Sequence, residues 1–230
     1  MMRAIILALA LVFGVANAPT PLDRQLQELV DKGDLQQALA LARQAAERGE
    51  SDGHDWMGWF LEEGKGTSPD ITRAAQHYRT AAALGENHAR WRLGVLMDEG
   101  KITGTPQEAV ALFKAAARED YANAIVSLAV MQATGRGTPT DFAAAFANYD
   151  RAARLGDSGG MRGVAVMHYL GQGRPVDKAE AAAWLVLSAS MGNADAEEVF
   201  YSIAGELSPD ELDGVEQRTY AIAAEIGIEL

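Results

Sequence analysis

The sequence predicts an all-α fold, a solenoid of about five helix-pair repeats, and three observations predict it. Glycines follow apolar helical segments at Gly64, Gly100, Gly135 and Gly171, spaced 36, 35 and 36 residues apart. Small residues keep the same register ahead of each glycine. Alanine is abundant while aromatics make up only 7% of the chain, a composition suited to helices packed closely at small side chains. Self-similarity at a fixed period of this length marks a repeat architecture.

The chain has 230 residues, of which 48% are hydrophobic, enough for one large domain or a short repeat array. Its net charge of −12 and the lack of any Lys/Arg-rich run argue against nucleic acid, which is bound by basic stripes. No cysteine is present, so disulfides, thiolate metal sites, cysteine nucleophiles and a lipid-modified N-terminal cysteine are excluded.

The first residues set the expected compartment. Met1, Met2 and Arg3 give a positive start, Ala4 to Val15 is apolar, and Ala16 and Ala18 are small residues at the positions a signal peptidase reads. A secretory signal peptide over 1–18 is expected, cleaved after Ala18, with a bacterial periplasmic or secreted protein as the product. The apolar run falls short of the roughly 20 residues a membrane helix needs, which weighs against an uncleaved anchor. No integral membrane span is expected elsewhere.

Residues 19–49 read as an N-terminal capping helix pair. Four repeats follow, at 50–85, 86–120, 121–156 and 157–192, and 193–230 form C-terminal capping helices. Within each repeat the first helix, A, carries a small residue six before the anchor glycine: Gly58, Gly94, Ala129 and Ala165. Another stands eleven before it: Gly53, Ala89, Ala124 and Gly160. Both sets lie on one helical face, where a neighbouring helix can come close. The anchor glycine is a left-handed stop for helix A. A proline follows in every repeat, and Asp70, Asp141 and Asp177 stand ready to cap the second helix, B. Asp177 and Glu180 have capping-box spacing. Helix B carries paired alanines and one large residue, Tyr78, Phe113, Tyr149 or Leu185, and closes at Gly85, Asp120, Gly156 or Gly192. Ser208, Pro209 and Glu211 open the last helix with cap, first-position proline and capping-box acid.

These residues resemble the Sel-one-like repeat family, relatives of the tetratricopeptide repeats. The unit ending in Ala181, Ala182, Ala183, Trp184, Leu185 and Gly192 fits the pattern well, and the resemblance covers about Glu50 to Gly192. It implies a right-handed α-α solenoid and is nearly silent on substrate, because the matching positions are structural. The second full repeat, 86–120, departs from the pattern: Ile102 replaces a second loop glycine and Gly104 comes later, so its loop should bend differently. The family's mid-helix tyrosine is replaced by Leu61, Met97, Gln132 and His168.

The residues offer no clear catalytic or metal site, and no cofactor is expected. Gly64, Lys65 and Gly66 lack the glycine spacing of a phosphate loop. His54, His77, His88 and His168 never pair at three or four along one helix, as zinc motifs do. Ser51, His54 and Asp55 cluster in sequence, but residues so close on one helix start point in different directions; Ser51 reads as a helix cap. The carboxylate pairs Glu62 with Glu63 and Asp98 with Glu99 read as a solvated helix end, or alternatively as an acidic binding surface.

Resemblance to tetratricopeptide repeats places groove-facing positions on each helix A. These are Asp52, Asp55, Trp59, Glu62 and Glu63 in the first full repeat, and His88, Trp91, Val95, Asp98 and Glu99 in the second. In the third they are Asn123, Val126, Val130, Ala133 and Thr134, and in the fourth Gly159, Arg162, Val166, Tyr169 and Leu170. The predicted groove is acidic with two tryptophans at its N-terminal half and mostly apolar at the other. Trp59 and Trp91 fit either an interface anchor or packing between A helices. The expected function is a protein-binding scaffold, an adaptor or regulator in the cell envelope, working as a monomer on another protein or peptide segment. An enzyme of the β-lactam-binding or hydrolysing type associated with some secreted relatives is the alternative, disfavoured by the lack of a Ser-x-x-Lys motif. A cell-wall assembly accessory role is a third.

Overall fold

The structure is a computed structural model that describes residues 19–230. The expected signal peptide lies outside the described residues. Twelve α-helices and no strand occur among them, which is the predicted all-α fold class. The chain divides into two compact units, with the boundary at Ala124 and Ile125.

The N-terminal unit holds α1 (Pro21–Asp31), α2 (Leu35–Glu47), α3 (Ser51–Glu63), α4 (Ile71–Ala83), α5 (Asn87–Asp98) and α6 (Pro106–Ala117). Each helix packs on the next, and the A helix α3 also touches the A helices α1 and α5. Local chemistry fixes the helix ends. Thr20 and Asp23 form a capping box on α1, which starts with Pro21. Asp70 caps α4 by accepting the Arg73 N–H at 3.0 Å. Thr105 and Glu108 form a capping box on α6, taking the role that aspartate plays in the other repeats. Gly64 ends α3 in the left-handed region. Asp120, where other repeats have glycine, also takes a positive φ, 56°. The Ser51 expectation is corrected: Glu50 is the cap of α3, Ser51 is its first residue, and the Ser51 hydroxyl donates to Asp52 at 3.0 Å.

Small residues let ring-bearing helices come close, as the register predicted. A Cβ added at Gly58 would lie 2.5 Å from the Tyr78 ring, and one at Gly94 would lie 2.5 Å from the Phe113 ring. Tyr78, Phe60 and Phe113 are among the largest fully buried side chains. At Gly53 the neighbour is backbone: an added Cβ would stand 2.4 Å from the Ala46 nitrogen.

α7 (Ala122–Thr134) starts at the boundary, and α8 (Phe142–Arg154), α9 (Ser158–Leu170), α10 (Lys178–Ser190), α11 (Ala194–Ala204) and α12 (Pro209–Ile226) complete the C-terminal unit. Asp141, Asp157 and Asp177 cap α8, α9 and α10. Glu180 supplies only its backbone N–H to the Asp177 cap; its carboxylate faces Arg218 instead, at 3.4 Å. Ser208 and Glu211 form the predicted capping box on α12. α10 packs against α9, α11 and α12 and buries Trp184, Leu185 and Leu187.

The loop between paired helices is fastened by one recurrent backbone bond. The Asp70 N–H donates to the Leu61 carbonyl at 2.8 Å, Asp141 to Gln132 at 2.9 Å and Asp177 to His168 at 3.0 Å. The second full repeat does bend differently: Ile102 N–H donates to Leu96 at 3.3 Å, and an added Cβ at Gly104 would lie 2.4 Å from the Met97 side chain.

Candidate functional site

The A-helix residues of the N-terminal unit gather around a cavity of about 510 Å³. Asp52, Asp55, Trp56 and Trp59 from α3 line it, together with Thr20 and Asp23 of the first helix start, Glu86 and His88 at the start of α5, and Tyr121. The cap of α1 reaches into this wall. The Thr20 hydroxyl donates to Asp52 at 2.6 Å, its N–H to Asp23 at 2.9 Å, and the Trp56 indole N–H to Asp23 at 2.9 Å. Asp55 pairs with His88 at 2.7 Å. Burial disfavours the imidazolium, but the Asp55 hydrogen bond and charge outweigh it and hold His88 above its usual value. Glu86 receives the His88 backbone N–H at 3.3 Å. Burial, with the charges of Asp55, Asp52 and Asp23, holds its carboxyl above the usual range.

The tryptophans of this unit fall into two aromatic clusters. Trp59 meets Trp56 edge-on at 5.4 Å and Phe60 at 5.1 Å. Trp91 lies 5.7 Å from His88 and 6.2 Å from Tyr121, with Arg92 over its ring at 5.2 Å. Both are half-buried.

Glu62 is not part of a solvated face. Its side chain is 8% exposed, ion-paired with Arg92, and accepts the Tyr78 hydroxyl at 2.9 Å. The physical reason is reach: a helix position fixes where a side chain starts, whereas Arg92 and Tyr78 decide where this carboxylate ends. Glu99 is exposed and pairs with Lys101 at 2.9 Å; Val95 and Asp98 are half-buried.

In the C-terminal unit, Val130, Arg162, Val166 and Tyr169 are half-buried. Val130 and Tyr169 pack against the core of this unit. Tyr169 donates its hydroxyl to Glu206 at 2.7 Å, and Lys178 pairs with the same carboxylate at 2.6 Å. The Arg162 Nε is buried with no hydrogen-bond partner. Leu170 is 52% exposed.

Ser51, His54 and Asp55 do not converge: Ser51 turns to Asp52, Asp55 to His88, and His54 to His77, whose Nδ1 atoms are 3.1 Å apart. That last contact joins α3 to α4 and was hidden from an argument confined to spacing along one helix. Among the described residues no group of three or more His, Cys, Asp or Glu is placed to hold a metal ion. Sequence reasoning also missed Thr20, Asp23, Glu86 and Tyr121. They are caps and connections, outside the helix A register that guided the search. The capping-box spacing of Thr20 and Asp23 was the signal available for two of them.

The Sel1 repeat model matches residues 26–50, 51–86, 87–121, 122–157 and 158–193, five repeats in all. No curated protein sequence is significantly similar. Among solved structures, the chain resembles a protective antigen of uropathogenic Escherichia coli with an SLR fold, at 24% identity and a TM-score of 0.74. The match covers 81% of this chain and 40% of that one, so the chain spans well under half of that protein's length. A Sel1 repeat protein of Oxalobacter formigenes matches at 21% identity and TM-score 0.72, over 89% of this chain and 83% of that one. An immunity protein of Pseudomonas aeruginosa matches at 17% identity and TM-score 0.58, over 90% and 84%. These likenesses share the fold. With five matched repeats spanning most of its length, the chain belongs to the Sel1 repeat family.

Proposed function

We propose that this protein is an interaction scaffold of the bacterial cell envelope that holds a segment of a partner protein on the A-helix face of its N-terminal unit. The observation that carries the reading is the cavity of about 510 Å³, walled by Trp56, Trp59 and Tyr121 and edged by four carboxylates. Concave sites that join aromatic surface to a few polar groups suit ligand capture, and aromatic anchors dominate the energetics of protein interfaces. Helical repeats bind along surfaces formed by successive units. The contact of α1, α3 and α5 provides such a surface within this unit. No helix among the described residues is long and apolar enough to cross a membrane. An envelope location rests on the leader-like residues 1–18.

Site-specific photocrosslinking in cells tests the reading. A photoreactive phenylalanine analogue in place of Trp59 should trap a discrete partner, and one in place of Leu84, an exposed residue at the end of α4, should not. Equal trapping at both positions, or none at Trp59, overturns it. Fractionation with N-terminal sequencing tests the compartment: a periplasmic chain starting at Pro19 is expected, and a membrane-retained chain starting at Met1 refutes it.

A further inference from the structure

The cavity of the N-terminal unit carries more negative charge than its own lining neutralises. Asp23, Asp52, Asp55 and Glu86 all line it, and His88 is the one base among the lining residues. The donors around it are already assigned. Asp23 takes the Trp56 indole and the Thr20 N–H, Asp52 takes the Thr20 and Ser51 hydroxyls, and Asp55 takes His88. Glu86 has a single backbone N–H, at 3.3 Å, and no cation. Its carboxyl is held above the usual range by burial and by the charges of the three aspartates. A cation entering here would relieve that repulsion.

Two features say which kind of cation. The carboxylates are dispersed around the cavity: among the described residues no three or more acidic or histidine groups are placed to hold a metal ion. Spread acceptors suit an extended organic cation better than a point charge. Three aromatic rings, Trp56, Trp59 and Tyr121, line the same space. A guanidinium is planar, weakly hydrated, stacks on aromatic faces and donates in several directions at once, whereas an ammonium is compact and strongly hydrated. The cavity, at about 510 Å³, lies within the usual range of about 300–1,000 Å³ for sites that enclose a ligand.

We propose that this cavity receives an arginine side chain of the partner segment, its guanidinium against the aromatic wall and hydrogen-bonded to Glu86. The assignment rests on the reading of this face as the partner-binding one. Asp23 and Asp55 stay committed to Trp56 and His88 and shape the cavity without needing to contact the ligand. Glu86 is the selective element, since its carboxylate is the one with capacity to spare.

The test uses the full chain and N-acetyl-arginine-amide as probe, followed through the indole N–H signals of the four tryptophans by NMR. Trp56 and Trp59 should shift saturably, while Trp184, buried in the other unit, should not. The citrulline analogue has the same shape without the charge and should bind at least about tenfold more weakly, since hydrogen bonds to charged groups contribute about 1.5–3 kcal/mol. Glu86→Gln keeps the cap acceptor of α5 and should weaken arginine binding by about tenfold with the helical signal unchanged. Equal binding of arginine and citrulline analogues, or an unaltered affinity in Glu86→Gln, overturns the proposal. The lysine analogue binding as tightly as arginine also overturns it, in favour of a point charge. Crosslinking at position 59 separates the two readings. A trapped partner with no arginine binding defeats this assignment and leaves the scaffold standing. Arginine binding with no trapped partner refutes the scaffold reading and, with it, a partner segment as the source of the guanidinium.

Discussion

Gly94 offers the sharpest test of the helix-pair register. A Cβ there would lie 2.5 Å from Phe113 Cε1 and 2.9 Å from Cδ1 and Cζ. Carbon atoms at optimal separation are about 3.5–4.0 Å apart, so the overlap is about 1 Å. Phe113 is 2% exposed and shares its helix with the buried Ala109, Val110, Ala116 and Ala117, so its ring has little room to swing away. Either α5 and α6 separate or the ring leaves its rotamer. Overpacking of this kind costs about 1–3 kcal/mol, while replacing a mid-helix glycine by alanine returns up to about 1 kcal/mol of helix propensity. Gly94→Ala should therefore destabilise by roughly 1–2 kcal/mol net, and Gly94→Leu by more. Gly214 in α12 is the control, because an added Cβ there meets nothing within 4 Å. Gly214→Ala should stabilise by up to about 1 kcal/mol. Urea unfolding read by tryptophan fluorescence separates the effects, since Trp56, Trp59 and Trp91 report on the N-terminal unit and Trp184 on the other. An unchanged or raised N-terminal midpoint in Gly94→Leu would mean that Phe113 does not sit on Gly94 and that the register is wrong.

Breaking the Glu62 and Arg92 pair, whose side chains are 8% and 19% exposed, should cost about 3 kcal/mol in Glu62→Leu, because the guanidinium is left largely buried and unpaired. Glu50→Gln, at an exposed pair with Arg48, should leave the same urea midpoint unmoved. His168 is held down to about 4 by burial and by the charge of Arg174, so the unfolded chain takes up its proton first as pH falls. The C-terminal unit should lose about 2 kcal/mol between pH 7 and pH 5 on this account. His168→Phe should flatten the Trp184-reported dependence, and an equally steep profile in that variant would refute the assignment.

What the sequence made legible was local. Gly64 and Gly171 end helices because each takes the left-handed conformation, and Asp70, Asp141 and Asp177 cap because the bonded N–H lies three residues on. Such features need no knowledge of the neighbouring helix. The Glu62 position was placed on the correct helix, but its direction depends on Tyr78 and Arg92, 16 and 30 residues away. Charge reversal at Glu62 would therefore probe folding of the unit and say little about partner association. The cavity was half visible: Asp55 and Trp59 follow from the repeat, while Asp23 and Thr20 precede the first matched repeat, at 26–50. His54 and His77 meet only because α3 and α4 fold back on each other.

The bond that closes the loops ahead of Asp70, Asp141 and Asp177 ends on a carbonyl, and this sets what selection can alter. Leu61, Gln132 and His168 all serve as the acceptor, since the loop grips main chain common to every residue type. An apolar group, an amide and an imidazole can thus occupy one site without unfastening the turn. Gln132 uses that latitude to bind Asn148 at 2.7 Å, and His168 uses it to pack on Phe146. A protein assembled this way can retune its interior one repeat at a time, by single substitutions, with its connections left intact.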